Sequence, residues 1–138
     1  MKTILFWVIQ LTWGILLTAM GGLLTLVLLL TGHKSQFFGY AIYTQVGSHW
    51  GGLNLGGFFF VQQGASKRLT CHEYGHSFQN LWLGPLTPFV ITIPSALRYH
   101  YRNYKEKKGY SLPPYDAFWC EKWATDLGKK YCPSLEKQ

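Results

Sequence analysis

His72 and His76 stand four residues apart, with Glu73 directly after the first, in the stretch RLTCHEYGHSFQNLWLGP from 68 to 85. On an α-helix, positions i and i+4 lie one above the other, so both imidazoles can reach a single metal ion. Glu73 is rotated about 100° from His72. That places it to touch a water on the ion rather than the ion itself. Zinc lowers the pKa of a bound water to about 7, and a carboxylate beside it can accept its proton as the water attacks a carbonyl. The H-E-x-x-H pattern is the sequence form of this arrangement.

A catalytic zinc needs a third protein ligand and an open fourth position. Downstream, the candidates are His100, Glu106, Asp116, Glu121, Asp126 and Glu136. Glu121 is preferred because it lies in YDAFWCEKWATDLG, an apolar and aromatic helical setting where an unpaired carboxylate would be costly. The alternative is an exposed glutamate paired with a lysine.

An H-E-x-x-H helix followed by a later helical glutamate resembles the gluzincin class of zinc metallopeptidases. From Gly32 onward the chain is also similar to small bacterial membrane proteins of unassigned function that carry H-E-Y-G-H and a later E-K-W-A-D. The resemblance implies His72, His76 and Glu121 as ligands of Zn2+ and Glu73 as catalytic base. It implies a peptide or protein substrate and a bacterial inner-membrane location. Gluzincins often carry an aspartate four residues after the glutamate, holding the first histidine from behind. Here Thr125 takes that position and Asp126 follows it, turned from Glu121 by roughly 140° on a regular helix. Thr125 and Asp126 are therefore both candidates for that supporting role. Zincins also pair an extended substrate with an edge strand, which GGLNLGGFFFV can supply. A Tyr or His would stabilise the oxyanion, with Tyr99, His100, Tyr101, Tyr110 and Tyr115 all available.

The elements that must position these residues are set by an uneven chain. No charge occurs from Thr3 to Gly32, whereas Arg98 to Gln138 carries nine Lys/Arg and five Asp/Glu. The apolar run exceeds the ~20 residues that span a bilayer, which predicts a transmembrane anchor over 1–32. Gly14, Thr18 and Gly22 would line a small-residue face for a partner helix. Residues 33–138 form the metal-binding part. Within it, 37–63 reads as two or three short strands and 67–83 as a helix stopped by Gly84-Pro85. The Pro-broken apolar segment 81–97 and a basic loop follow, then a helix from about Pro114 to Leu127 with Gly128 at its end. The expected fold class is α+β: one transmembrane helix plus a small zincin-like part.

If 81–97 crossed the bilayer, His72 and Glu121 would face opposite sides. A shared metal therefore excludes a second span. The net charge of +7 fits a basic aqueous part on the cytoplasmic side, near anionic lipid headgroups, better than a nucleic-acid binder. Cys71, Cys120 and Cys132 form an odd set that agrees with a reducing compartment, although one pair can bridge. The expected function is a membrane-anchored zinc metallopeptidase. The alternative is a non-catalytic accessory subunit with a structural or vestigial zinc site, in which Cys71 or Cys120 supplies a fourth ligand.

Overall fold

A computed structural model describes residues 1–133. Four strands, β1 (Ser35–Phe38), β2 (Ala41–Gln45), β3 (Gly52–Leu55) and β4 (Phe58–Val61), make one sheet in the order β1-β2-β4-β3. Sequence had suggested two or three. β1 and β2 form an antiparallel hairpin, as do β3 and β4, while β2 and β4 run parallel. β1 and β3 are thus the edges. The central strand β4 is apolar throughout because both of its faces are covered. Phe59 and Val61 pack with Tyr74 and Phe78 on one side. Phe60 joins Leu17 and Leu55 on the other.

The N-terminal apolar run is not one helix. It forms α1 (Thr3–Leu11) and α2 (Ile15–Leu30), bent by 102°, and no single helix is long and apolar enough to cross a membrane. At the break Gly14 N–H donates to Ile9 O and Thr12 Oγ1 donates to Val8 O, which diverts the regular ladder. Both helices are built into the fold. Phe6 shares the core of Tyr74 and Phe78. Buried Gln10 donates to Ser77 O and accepts from Thr18 and Asn80. Burying these polar groups is tolerable only because they satisfy one another. The small-residue face is likewise covered from within. Thr18 Oγ1 accepts from Gly57 N–H, and a Cβ on Gly22 would lie 3.4 Å from the Phe58 ring. No partner helix is needed to cover it.

α3 (Lys67–Leu83) has the expected bounds, with Ser66 Oγ accepting from Leu69 N–H at its start. Residues 84–86 then make a 3₁₀ turn and Pro88–Thr92 a π turn, leading into α4 (Ile93–Lys107). Pro94 lacks the N–H that would bond residue 90, and a π turn just before it accommodates that loss. No single helix of this segment is long and apolar enough to cross a membrane, and the expected basic loop after it is helical to Lys107.

The last helix also begins later than expected. Residues 115–117 form a 3₁₀ turn, Phe118 is extended, and α5 runs from Trp119 to Tyr131. Gly128 does not end it. Gly128 and Gly75 are where α5 and α3 cross backbone to backbone: a Cβ on Gly75 would collide with Ala124 O, and one on Gly128 with Cys71 O.

Cys71 is disulfide-bonded to Cys132, while Cys120 is free and buried. The odd count had concealed a bridge plus one core thiol. The bridge closes a 61-residue separation, which the chain-entropy estimate values on the order of 4 kcal/mol. Cys132→Ser is expected to lower the thermal midpoint by on the order of 10 °C. Alkylation of the unfolded, unreduced wild type should label one thiol; labelling of all three cysteines would show that the bridge does not form.

Candidate metal centre

His72 and His76 project from the middle of α3 with ring centroids 4.9 Å apart and planes at 88°. Glu121 comes from the first turn of α5, where the helix N-terminus favours a carboxylate. Its Oε2 lies 2.9 Å from His72 Nε2 and 3.4 Å from His76 Nε2. Donor atoms around a tetrahedral ion at about 2.0–2.1 Å stand about 3.3 Å apart. The three side chains therefore form a group that can hold a metal ion.

The rings are oriented for that task. Gln79 Nε2 donates to Cys120 O, which fixes the amide so that its Oε1 faces His76 Nδ1 at 2.6 Å. An amide oxygen only accepts, so Nδ1 carries the hydrogen and the Nε2 lone pair of neutral His76 points at Glu121. Two acceptors facing each other need a cation between them, either a proton or a metal. The proton form is visible in the electrostatics. Burial lowers the His76 pKa, but its hydrogen bond to Glu121, with Glu73 nearby, outweighs that and raises it. Burial raises the Glu121 pKa, but hydrogen bonds from His72 and His76 hold it well below the usual carboxylate range. A bound metal would replace those protons.

Thr125 Oγ1 lies 2.9 Å from His72 Nδ1, so the residue four after Glu121 holds the ring. Asp126 does not: it accepts from Lys122 at 2.9 Å on the exposed side of α5, as the helical rotation requires. Ser95 donates to Glu121 Oε1, which keeps Oε2 toward the imidazoles. Each ligand is thus held from behind by a neutral group. Among the other proposed ligands, Glu106 pairs with Arg102 and Asp116 with Arg68. His100 lines the same cavity as His76 and Glu121 but is not one of the grouped ligands, and Glu136 lies outside the described residues. Among the described residues no Cys joins the group.

Glu73 is buried beside the edge strand: a Cβ on Gly52 would lie 2.5 Å from Glu73 Cγ. Burial raises its pKa, and the two imidazoles pull it back. It borders two adjoining cavities of about 410 and 340 Å³, which share Gly52, Tyr99 and Tyr115. His76 and Glu121 open into the larger, and His72 and Thr125 into the smaller. Of the five oxyanion candidates, Tyr99, His100 and Tyr115 reach the larger cavity. Tyr101 and Tyr110 are exposed beneath Lys105. Burial, reinforced by Glu121, pushes the Tyr115 phenol up to about 12, so it remains a hydrogen-bond donor at neutral pH.

β3 forms the wall next to Glu73. Gly51 and Leu53 fall on the alternation that pairs with β4, since Gln62 N–H donates to Gly51 O. Gly52 and Asn54 therefore turn their N–H and C=O groups outward. Asn54 Nδ2 also donates to Glu73 O and Ser77 Oγ, which locks the edge to α3.

Gln79 stands three residues after His76, on the same side of the helix, and that spacing is the signal that could have found it. Ser95 carried no signal, because nothing local distinguishes a serine after Pro94 from a helix-start residue. Asn54 in an otherwise apolar strand was the one visible clue to the edge. No protein-family model matches this chain, and no similar curated protein or solved structure was found.

Proposed function

We propose that the protein is a membrane-bound zinc metallopeptidase of gluzincin type, with His72, His76 and Glu121 as metal ligands and Glu73 as general base. One observation carries this most: a group of three ligands, with no fourth His, Cys, Asp or Glu among the described residues, borders a cavity that Glu73 also lines. A structural zinc site closes with four protein ligands, whereas a catalytic one keeps a position open. Cys71 is engaged with Cys132, and Cys120 lies outside the group, which weighs against the accessory-subunit alternative.

The outward groups of Gly52 and Asn54 suit main-chain pairing with an extended peptide. Such a peptide would lie across the shared wall of the two cavities. Zinc, when bound, supplies a water acidic enough to be deprotonated near neutral pH and an electrophile for the peptide carbonyl. Glu73, buried beside the grouped ligands, would be placed to take up a proton and to return it to the leaving amine. Tyr115 or Tyr99 can donate to the carbonyl oxygen as it gains charge. Thr125, Gln79 and Ser95 hold the ligands in place. The Cys71–Cys132 bridge favours an oxidising compartment for this domain, against the cytoplasmic side suggested by the basic residues.

The test is elemental analysis of purified protein. Wild type is expected to carry about one zinc per chain and His76→Ala far less. Zinc-free wild type purified without chelator would sink the proposal. Because the ion binds the folded state only, chelation should also lower the thermal midpoint by on the order of 10 °C.

A further inference from the structure

The outer face of α2 has no partner. Leu16, Met20, Leu23, Val27 and Leu30 recur at 4-3-4-3 spacing and are all exposed, while Leu17, Thr18, Gly21 and Thr25 on the opposite side are buried. A surface helix of a soluble domain would carry polar groups on that stripe. The apolar surface continues across the chain. Trp13 at the bend donates to Trp82 O, and Leu17 lines the metal cavity together with Thr87 and Ile91. Beyond them Trp82, Phe89 and Leu97 are 71%, 67% and 66% exposed. Exposed apolar side chains clustered on one face mark a protein or membrane interaction site.

We infer that this face lies flat in one leaflet of an anionic bilayer, so that the metal cavity opens at the hydrocarbon boundary and receives apolar polypeptide segments from the membrane. Three observations favour that occupant and that orientation. α2 has 16 residues, about 24 Å, which falls short of the roughly 30 Å hydrocarbon core. Its inner side is held against the sheet, since a Cβ on Gly21 would lie 2.6 Å from Leu55 O. An upright α2 would carry the edge strand β3 and its unpaired backbone groups to bilayer depth, where lipid cannot satisfy them. Charge also matches. Lys105 and Lys107 lie in the last turn of α4 and Lys108 follows them, with Glu106 the only acid among them, and Lys2 and Lys34 flank the apolar pair. Such residues are drawn to anionic headgroups.

The same elements wall the catalytic cavity. Leu17 comes from α2, Ile91 and Thr92 from the π turn, and Ser95 and Ala96 from α4. Seating their outer sides in lipid places the cavity at the boundary. The consequence for substrate access rests on the peptidase proposal; the seating itself does not.

The test is nitroxide depth measurement on the full chain, with Cys120→Ser and single cysteines at Leu16, Leu23, Leu30, Ala96, Leu97 or Lys122. The vesicles are phosphatidylcholine with or without phosphatidylglycerol. Accessibility to oxygen is compared with that to a water-soluble nickel chelate. Leu16, Leu23 and Leu30 are expected at one common depth, Leu97 in lipid, Ala96 at the boundary and Lys122 in water. Phosphatidylglycerol should raise vesicle affinity at least about tenfold. A profile deepest at Leu23 and shallow at both ends would show a spanning helix and overturn the inference. So would a water-exposed Leu97 or Ala96, or no binding to vesicles. Zinc content is measured on each labelled protein. A failed depth profile with zinc retained rejects the seating alone, whereas absent zinc rejects the peptidase.

Discussion

Glu73→Gln is expected to keep one metal ion per chain and to lower hydrolysis of a labelled unstructured polypeptide by about 10²–10⁴-fold. Glutamine has nearly the same shape, so the contact with Gly52 and the cavity wall survive. It cannot accept a proton, so only the base is removed. Glu73 is not among the three grouped ligands, which is why the metal should stay. Two outcomes contradict this. Loss of the metal would make Glu73 a ligand, and unchanged turnover would make some other group the base. An accessory subunit would show no turnover in either form. Glu73 is also the only acidic residue before residue 98, so no nearby carboxylate in that part of the chain can substitute for it.

How much of this was legible in the sequence depended on whether the determining contacts were local. α3 was legible in its bounds: the i, i+4 spacing of His72 and His76 and the Gly84-Pro85 stop act within a few residues. Glu121 was legible because a carboxylate among Trp119, Cys120 and Trp123 needs a long-range partner. Thr125 was legible as an alternative through helical rotation alone. Two of the misreadings concern contacts between distant segments. The bend at Thr12–Gly14 is fixed by Asn80 and Ser77, some 70 residues away, so hydropathy showed only an uninterrupted apolar run. Gly128 matches a helix stop by type, yet it lies inside α5 because the backbone of α3 passes there. The helix after Pro94 was hidden because three prolines read as a broken segment. The π turn absorbs the lost hydrogen bond instead.

That backbone crossing is expected to act on the fold and on the metal ligands together. Gly75 and Gly128 let α3 and α5 approach until Cys71, Ala124 and the two glycines touch through their main chains. Gly128→Val would place two methyl groups against Cys71 O, beside the residue that begins the metal motif. Neither backbone can yield without breaking its own helix, so α5 must lift away. The cost should be about 3 kcal/mol or more, at the upper end for overpacking. Glu121 rides on α5 while both imidazoles ride on α3, so lifting α5 also separates the ligands. Gly128→Val is therefore expected to lower the thermal midpoint by about 10 °C or more. Metal affinity should fall by at least about 100-fold in the fraction that stays folded. Gly128→Ala should show the same two effects in weaker form, since one methyl meets the same carbonyl. Lys129→Ala, one position on and exposed, should show neither. If Gly128→Val bound metal like wild type, the glycine crossing would not be what brings the two histidines and Glu121 together.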